Sequence, residues 1–248
     1  MVRNQQEILK IKKSGQICAL ALLKTLKEVK SGVTTLKLDR VAEEEIRLLG
    51  GSSSFKTVEG YNYTICATVE DQVVHTPPSE RVLKEGEIVS IDLGAYFGGF
   101  HTDMARTVGV GKISEEKKEF IEAGFTAWRE AFDKVRVGGR IGDVSAAIQE
   151  SVKKKGYSVV RELTGHGVGR SLHEEPSIPC FGRESTGEEI LEGMTLAIEV
   201  IYTQSKPDLI FDQRDGWTVK TRDGKLGGLY EDTVLVTRSG PIALTKLD

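Results

Sequence analysis

The stretch VKSGVTTLKLDRVAEEEIRLLG, residues 29 to 50, lies over VRVGGRIGDVSAAIQESVKKKG, residues 135 to 156, at a constant offset of 106. Val29 then matches Val135, Lys30 matches Arg136, Gly32 matches Gly138, Ile46 matches Val152 and Gly50 matches Gly156, while Leu26 upstream meets Phe132. Two amphipathic helical hairpins can share such a pattern by chance. A duplicated half is the other origin, and it restricts the chain to two copies of a unit of two helices followed by antiparallel strands. Helix signals agree with that unit. Asn4 with Glu7 predicts a helix start, and Ile8, Ile11, Gly15, Cys18, Leu22, Leu26 and Val29 recur at helical spacing up to Gly32. A second helix is predicted from about Leu36 to Leu49, before Gly50-Gly51. Ser114 opens a third, with Ile121, Phe125, Trp128, Phe132 and Val135 on its apolar side, and Asp143 opens a fourth that runs to Gly156. The fold class expected is α+β: one domain over 1–248, with halves of approximately 4–113 and 114–245.

Strands fill the remainder. Residues 61 to 75 alternate, and GEIVSIDLGAY followed by HTDMARTVGVG predicts a hairpin around Gly98-Gly99. YSVVREL and MTLAIEVIYT are predicted strands, and DGWTVKT is expected to pair with LGGLYEDTVLVT across a turn at Arg222 to Lys225. CFGRESTGEEI is expected as a surface loop. A chain of 248 residues can bury a core without covalent staples. Cys18, Cys66 and Cys180 include no Cys-x-x-Cys pair, which argues against a disulfide framework or a thiolate zinc site and for a reducing, cytoplasmic setting. The net charge of −3 gives no broad basic footprint, so neither DNA nor an anionic membrane is an expected partner. No run approaches the roughly 18 apolar residues of a membrane span.

The chemistry lies in carboxylates set among apolar strand residues. With Gly98-Gly99 as a two-residue turn, paired positions sum to 197, so Asp103 faces Gly94 and Asp92 lies two residues along on the same face. The two aspartates become diagonal neighbours, roughly 7–8 Å apart at the backbone, close enough to share a metal ion or a pair of them. Asp92 sits within Val89-Ser90-Ile91-Asp92-Leu93, Glu199 within Leu196-Ala197-Ile198-Glu199-Val200-Ile201, and Glu231 is expected just before the strand Thr233 to Val236. A carboxylate buried in an apolar run needs a compensating cation. His166 stands among glycines in Gly165-His166-Gly167-Val168-Gly169-Arg170, His173 follows seven residues on, and His75 ends the strand Gln72 to Val74. His101, beside the Gly98-Gly99 turn, is expected at the surface. The glycine pattern at 165 to 170 lacks dinucleotide-fingerprint spacing, and no Gly-x-Ser-x-Gly elbow occurs.

The set Asp92, Asp103, His166, Glu199 and Glu231 resembles the five-ligand pattern of the type I methionine aminopeptidases, metallopeptidases with the pita-bread fold. The stretches that carry the likeness are EDQVVHT, IDLGAYFGGFHTDMARTV, GHGVGRSLHEEP, GMTLAIEV and DGWTVKT with YEDTVLVT. The resemblance implies a duplicated fold and a cytoplasmic hydrolase. It would remove the initiator methionine from nascent polypeptide N-termini when the second residue is small, through attack of a water or hydroxide bridging two divalent ions. Those ions would be Co, Mn, Fe or Zn. Asp92 would hold one ion, His166 and Glu199 the other, and Asp103 and Glu231 both. Glu199 would also move the proton, His173 would stabilise the oxyanion, and His75 would hydrogen-bond the scissile amide. Tyr61, Trp217, Leu172 and Phe55 would line the methionine pocket. A monomer is expected, with the ribosome as a candidate partner.

The sequence departs from that family pattern in places. Val200 stands where the family usually has Pro, Asp232 where it has His, Glu70 where it has Asn, Thr76 where it has Gly, Leu172 where it has Phe, and Phe55 where Cys is common. No ligand is lost, but the pocket wall changes size. The rival readings are an Xaa-Pro aminopeptidase or dipeptidase of the same fold, and a non-catalytic binding module; the latter would be expected to lose ligands.

Overall fold

The computed structural model describes residues 2–247. Helix α1 (Gln5–Lys27) begins where the Asn4 side chain accepts the N–H of Glu7 and the Glu7 carboxylate accepts that of Asn4, a capping box that satisfies two otherwise orphaned donors. Thr34 caps α2 (Thr35–Leu48). Next come β1 (Ser52–Ser53), a single 3-10 turn (Phe55–Thr57), β2 (Ile65–Val69), β3 (Gln72–Val74), β4 (Ile88–Phe97) and β5 (Phe100–Gly109). The second half opens with α3 (Glu115–Phe132), capped by Ser114, and α4 (Ile141–Lys154). Asp143 does not open α4 as expected. It occupies the third helical position, where its carboxylate reaches back to the N–H of Arg140 at 2.9 Å, so the helix starts three residues earlier than a cap at Asp143 would set it. The remaining strands are β6 (Ser158–Val159), β7 (Thr164–Gly167), β8 (Glu174–Pro179), β9 (Thr195–Thr203), β10 (Leu209–Phe211), β11 (Val219–Thr221), β12 (Gly227–Thr237) and β13 (Gly240–Ala243). Of YSVVREL, only Ser158–Val159 forms a strand.

At the offset of 106, α2 falls on α4 and β1 on β6, and β4 matches β9 to within one residue. The glycines agree too: Gly32 and Gly138, in the turns before α2 and α4, have φ of 88° and 79°, and Gly50 and Gly156, just past the ends of those helices, have 86° and 81°, left-handed conformations that cost least at glycine. The strands form a ten-stranded antiparallel sheet in the order β1-β4-β5-β12-β9-β7-β8, with β2 on β4, β13 on β12 and β6 on β9. Alternation along the strands sorts its faces. Ile91 and Leu93 pack with Ile17, Leu22, Leu38 and Ile46 of the first helix pair. Ile198 and Val200 pack with Phe120, Ala127 and Ile148 of the second. Asp92 and Glu199 therefore project from the face opposite the helices. This is the pita-bread architecture.

Two strand expectations are corrected. DGWTVKT does not pair with LGGLYEDTVLVT: β11 joins β10 and β3 in a separate three-stranded sheet, because both edges of β12 are already taken, by β9 on one side and by β5 and β13 on the other. Glu231 does not precede a strand but lies inside β12. Gly227 and Gly228 open this strand, and a Cβ on the first would collide with the backbone of Gln72 and one on the second with the ring of Tyr202.

Candidate metal centre

The register of β4 on β5 places Gly94 opposite Asp103 and Asp92 opposite Ala105, the pairing the turn arithmetic predicts. Ala105 in turn faces Glu231 on β12, and Glu231 faces Glu199 on β9. One transverse row, Asp92, Ala105, Glu231, Glu199, therefore crosses four neighbouring strands. His166 on β7 pairs with Ala197, two residues from Glu199 on the same face, and extends the set to a fifth strand. Asp103 stands diagonally behind the row.

The β5–β12 contact at the middle of the row has only three regular rungs, at Met104, Ala105 and Arg106. The next rung on either side is made by a hydroxyl. Thr233 Oγ1 accepts the N–H of Asp103 and donates to its carbonyl, both at 2.9 Å. Thr107 Oγ1 accepts the N–H of Leu229 at 3.0 Å and donates to its carbonyl at 2.9 Å. The backbone is satisfied while the strands stand a side chain apart, which spaces Asp103 from β12.

Burial raises the carboxyl pKa of all four acids: Asp103 to about 7, against hydrogen bonds from the Met104 N–H and Asp92 that lower it, and Asp92, Glu199 and Glu231 well above the usual range, where the neighbouring carboxylates add to the effect. Asp92 Oδ1 and Glu231 Oε1 are buried without a hydrogen-bond partner. Ligand atoms of Asp103, His166 and Glu231 lie within 4.8 Å of one another. Burial also lowers His166 to about 4, so its ring is neutral. Its Nδ1–H donates to the Gly167 carbonyl at 2.9 Å, which turns the lone pair of Nε2 towards Glu199 Oε1, 3.5 Å away. Unpartnered oxygens, repelling carboxylates and an oriented imidazole are the mark of a site completed by a cation.

A cavity of about 140 Å³ stands over this row, and all eleven expected site residues border it. Phe55, Tyr61, Leu172 and Trp217 form its apolar wall, and the Tyr61 ring meets Trp217 edge-on with centroids 5.0 Å apart. His75 takes a left-handed φ of 62° at the end of β3, a conformation uncommon outside glycine; the residue is exposed, and the partial desolvation of its ring at the mouth of the cavity lowers its pKa to about 4. The His173 ring stands edge-on to His166 at 4.6 Å. Two wall residues escaped the sequence reading. Val58 follows the 3-10 turn, and Cys66, opposite Asp92 on β2, has its Sγ 3.1 Å from the Tyr61 hydroxyl. Finding Cys66 requires the β2–β4 register, which no local turn specifies. His101 is not at the surface: only 5% exposed, it packs on Tyr96, hydrogen-bonds Ser54 Oγ through Nδ1 at 2.9 Å, and donates its backbone N–H to Gly169. The bend of residues 168–173 covers this end of β5.

The model of metallopeptidase family M24 matches residues 9–238. The chain belongs to metallopeptidase family M24. It is 42% identical to the methionine aminopeptidase of Clostridium perfringens over 247 residues, covering 100% of this chain and 99% of that one. The crystal structure of methionine aminopeptidase from Thermotoga maritima superposes with a TM-score of 0.96 at 39% identity, covering 99% of this chain and 100% of the other. The Xaa-Pro dipeptidase from Bacillus anthracis superposes with a TM-score of 0.79 at 27% identity, and only 62% of that chain is covered. M24 membership implies use of a divalent metal, and the unpartnered Asp92 and Glu231 oxygens show that the donor set here suits one. Among the described residues, no helix of this M24 chain is long and apolar enough to cross a membrane.

Proposed function

We propose that this chain is a metal-dependent methionine aminopeptidase that removes the first residue from polypeptides whose second residue is small. The observation that carries the reading is the row of Asp92, Glu231 and Glu199 with Asp103 and His166 beneath an open cavity walled on one side by Phe55, Tyr61, Leu172 and Trp217. Asp92 would hold one divalent ion, His166 and Glu199 a second, and Asp103 and Glu231 would face both. Bound divalent ions supply Lewis-acid polarisation and acidify water. The protein does the rest. Glu199, which borders the cavity, receives and returns a proton at a carboxylate oxygen. His173 donates to the developing oxyanion, and His75 hydrogen-bonds the scissile amide. Tyr61, Trp217, Leu172 and Phe55 seat the methionine side chain. We place the reaction on nascent N-termini in the cytoplasm as they leave the ribosome. A monomer would carry it out, as one catalytic domain of 1–248 with halves 4–113 and 114–245.

A panel of Met-Ala, Met-Gly, Met-Leu and Xaa-Pro peptides with added Mn, Co, Fe or Zn tests the assignment. Cleavage of Met-Ala and Met-Gly but not Met-Leu is the expected result. Cleavage confined to Xaa-Pro peptides would transfer the chain to the Xaa-Pro reading, and inertness with every peptide and metal would favour a binding module.

A further inference from the structure

Leu172 and His173 ride on residues 168–173, a bend that belongs to no helix or strand, so its position over the centre depends on what holds it. The holder comes from the other end of the chain. The Arg3 guanidinium, 1% exposed, forms an ion pair with Glu174 across 171 positions of sequence. Its Nη2 also donates to the Val168 carbonyl at 3.3 Å, and its Nε lies 3.4 Å from Thr195 Oγ1, whose hydroxyl donates to that same carbonyl. The Glu174 carboxylate accepts the N–H of Ser171 at 3.0 Å. One guanidinium–carboxylate pair thus grips the bend at its first residue, at its middle and just past its last.

The bed of this contact is built for it. The Arg3 N–H donates to Gly193 at 2.9 Å, and Val2 bridges to Met194. A Cβ on Gly169 would collide with the guanidinium, and one on Gly193 would sit 2.9 Å from the Arg3 carbonyl oxygen. Gly169 is not in the left-handed region, so the space taken by Arg3 is what excludes a side chain there. A buried ion pair contributes little net stability over apolar packing; what a guanidinium with donors to Glu174, Val168 and Thr195 supplies is geometry.

We propose that Arg3 is a positioning residue that sets His173 and Leu172 over the metal centre. This rests on the methionine aminopeptidase reading. The test uses the metal-loaded full chain with Met-Ala peptide and with His173 imidazole resonances followed by NMR. Arg3→Met, which keeps the stem and removes the donors, is expected to lower kcat by about 10- to 100-fold, the scale on which a misplacement near 1 Å acts, with KM within about threefold. The His173 signals should broaden or shift while those of His75 stay in place. Arg3→Lys should recover part of the loss, because one ammonium can meet Glu174 but not span to Val168 as well. Gly169→Ala, which evicts the guanidinium without removing its charge, should lower kcat in the same direction, and it carries the test if Arg3→Met fails to fold. A folded Arg3→Met protein with the parent kcat, or with unmoved His173 signals, would overturn the proposal. If the parent cleaves no methionyl peptide, the functional reading fails, and the His173 resonances alone decide the positioning.

Discussion

Asp232 stands where the resembled family usually carries histidine, and the structure shows what this exchange demands. Its carboxylate, 2% exposed, accepts two bonds from Arg106 Nη2 at 2.8 and 3.0 Å and one from the Thr245 hydroxyl at 2.7 Å. Burial raises its pKa to about 6 even with the guanidinium beside it. Asp232→Leu removes three bonds to a charged acceptor and strands a guanidinium that is 10% exposed. Breaking a buried pair from one side costs about 3–5 kcal/mol. Arg106 keeps the carbonyls of Ala105 and Glu231, at 2.8 and 2.6 Å, and the face of Tyr230 at 3.9 Å. The expected loss therefore falls at the low end, about 3 kcal/mol, or roughly 6–12 °C in Tm for a chain of this size. Asp232→Asn keeps one acceptor and should lose about 1–2 kcal/mol. Asp232→His alone should cost about as much as Asp232→Leu, since an imidazole gives Arg106 no bidentate acceptor, whereas Arg106→Met with Asp232→Leu should return to within about 1 kcal/mol of the parent. Urea unfolding of the metal-free protein at constant m-value reads these four and Arg106→Met alone. If Asp232→Leu costs under about 1 kcal/mol, or the double variant costs the sum of its singles, the pair does not brace β5 against β12 and the reasoning fails.

Other outcomes are accessible with the same protein. His75 has its pKa lowered to about 4 from an ordinary 6.5, so on acidification the unfolded chain takes up the proton first. The side chain is exposed, so solvent screens the effect; stability is then lost as pH falls from 6.5 towards 4, by about 1 kcal/mol. His75→Gln should flatten that part of the urea midpoint–pH curve, and an unchanged slope would contradict the argument. Phe55→Ala opens the pocket wall and should raise KM for Met-Ala about tenfold through lost apolar contact, leaving kcat within about threefold; a fall in kcat alone would remove Phe55 from the methionine pocket. His166→Ala and Glu199→Ala should each abolish turnover and weaken metal binding in calorimetry. Parent protein stripped by chelator should melt several degrees higher once Mn or Co is restored at about 100 times its Kd, a gain near 2.7 kcal/mol. Full activity in either variant would sink the ligand assignment.

Local chemistry made the first half of the site legible. The Asp92–Asp103 relation followed from a two-residue turn and the period of two along a strand, and the structure has that register. Helix starts at Asn4 and Ser114 were legible for the same reason, because a cap acts within four residues. Asp143 misled since an acid can serve at the cap or at the third position, and the sequence around it does not say which. The β11 pairing was not legible. A hairpin between neighbours is the short-range expectation, and only the occupancy of both β12 edges, by strands far away in the chain, rules it out.

The relation between Glu199 and Glu231 shows why the second half of the site resists local reading. The two residues face each other across β9 and β12, yet β10 and β11 intervene, so no turn sets their register. What aligns them is the alternation of Ile198 and Val200 into the core beneath α3 and α4, which leaves Glu199 only the other face, and the rungs from Gly227 to Leu235, which carry Glu231 to the same level. The row then crosses to Asp92 through three regular rungs bounded by the hydroxyls of Thr107 and Thr233. Nothing local marks those threonines, because in a strand a threonine ordinarily needs no explanation beyond its propensity. Here each replaces a backbone partner where the halves meet, on either side of the rungs that carry the carboxylate row. The unpartnered Asp92 and Glu231 oxygens mark where a cation fits, and the two hydroxyls complete the backbone hydrogen bonds on either side of that row.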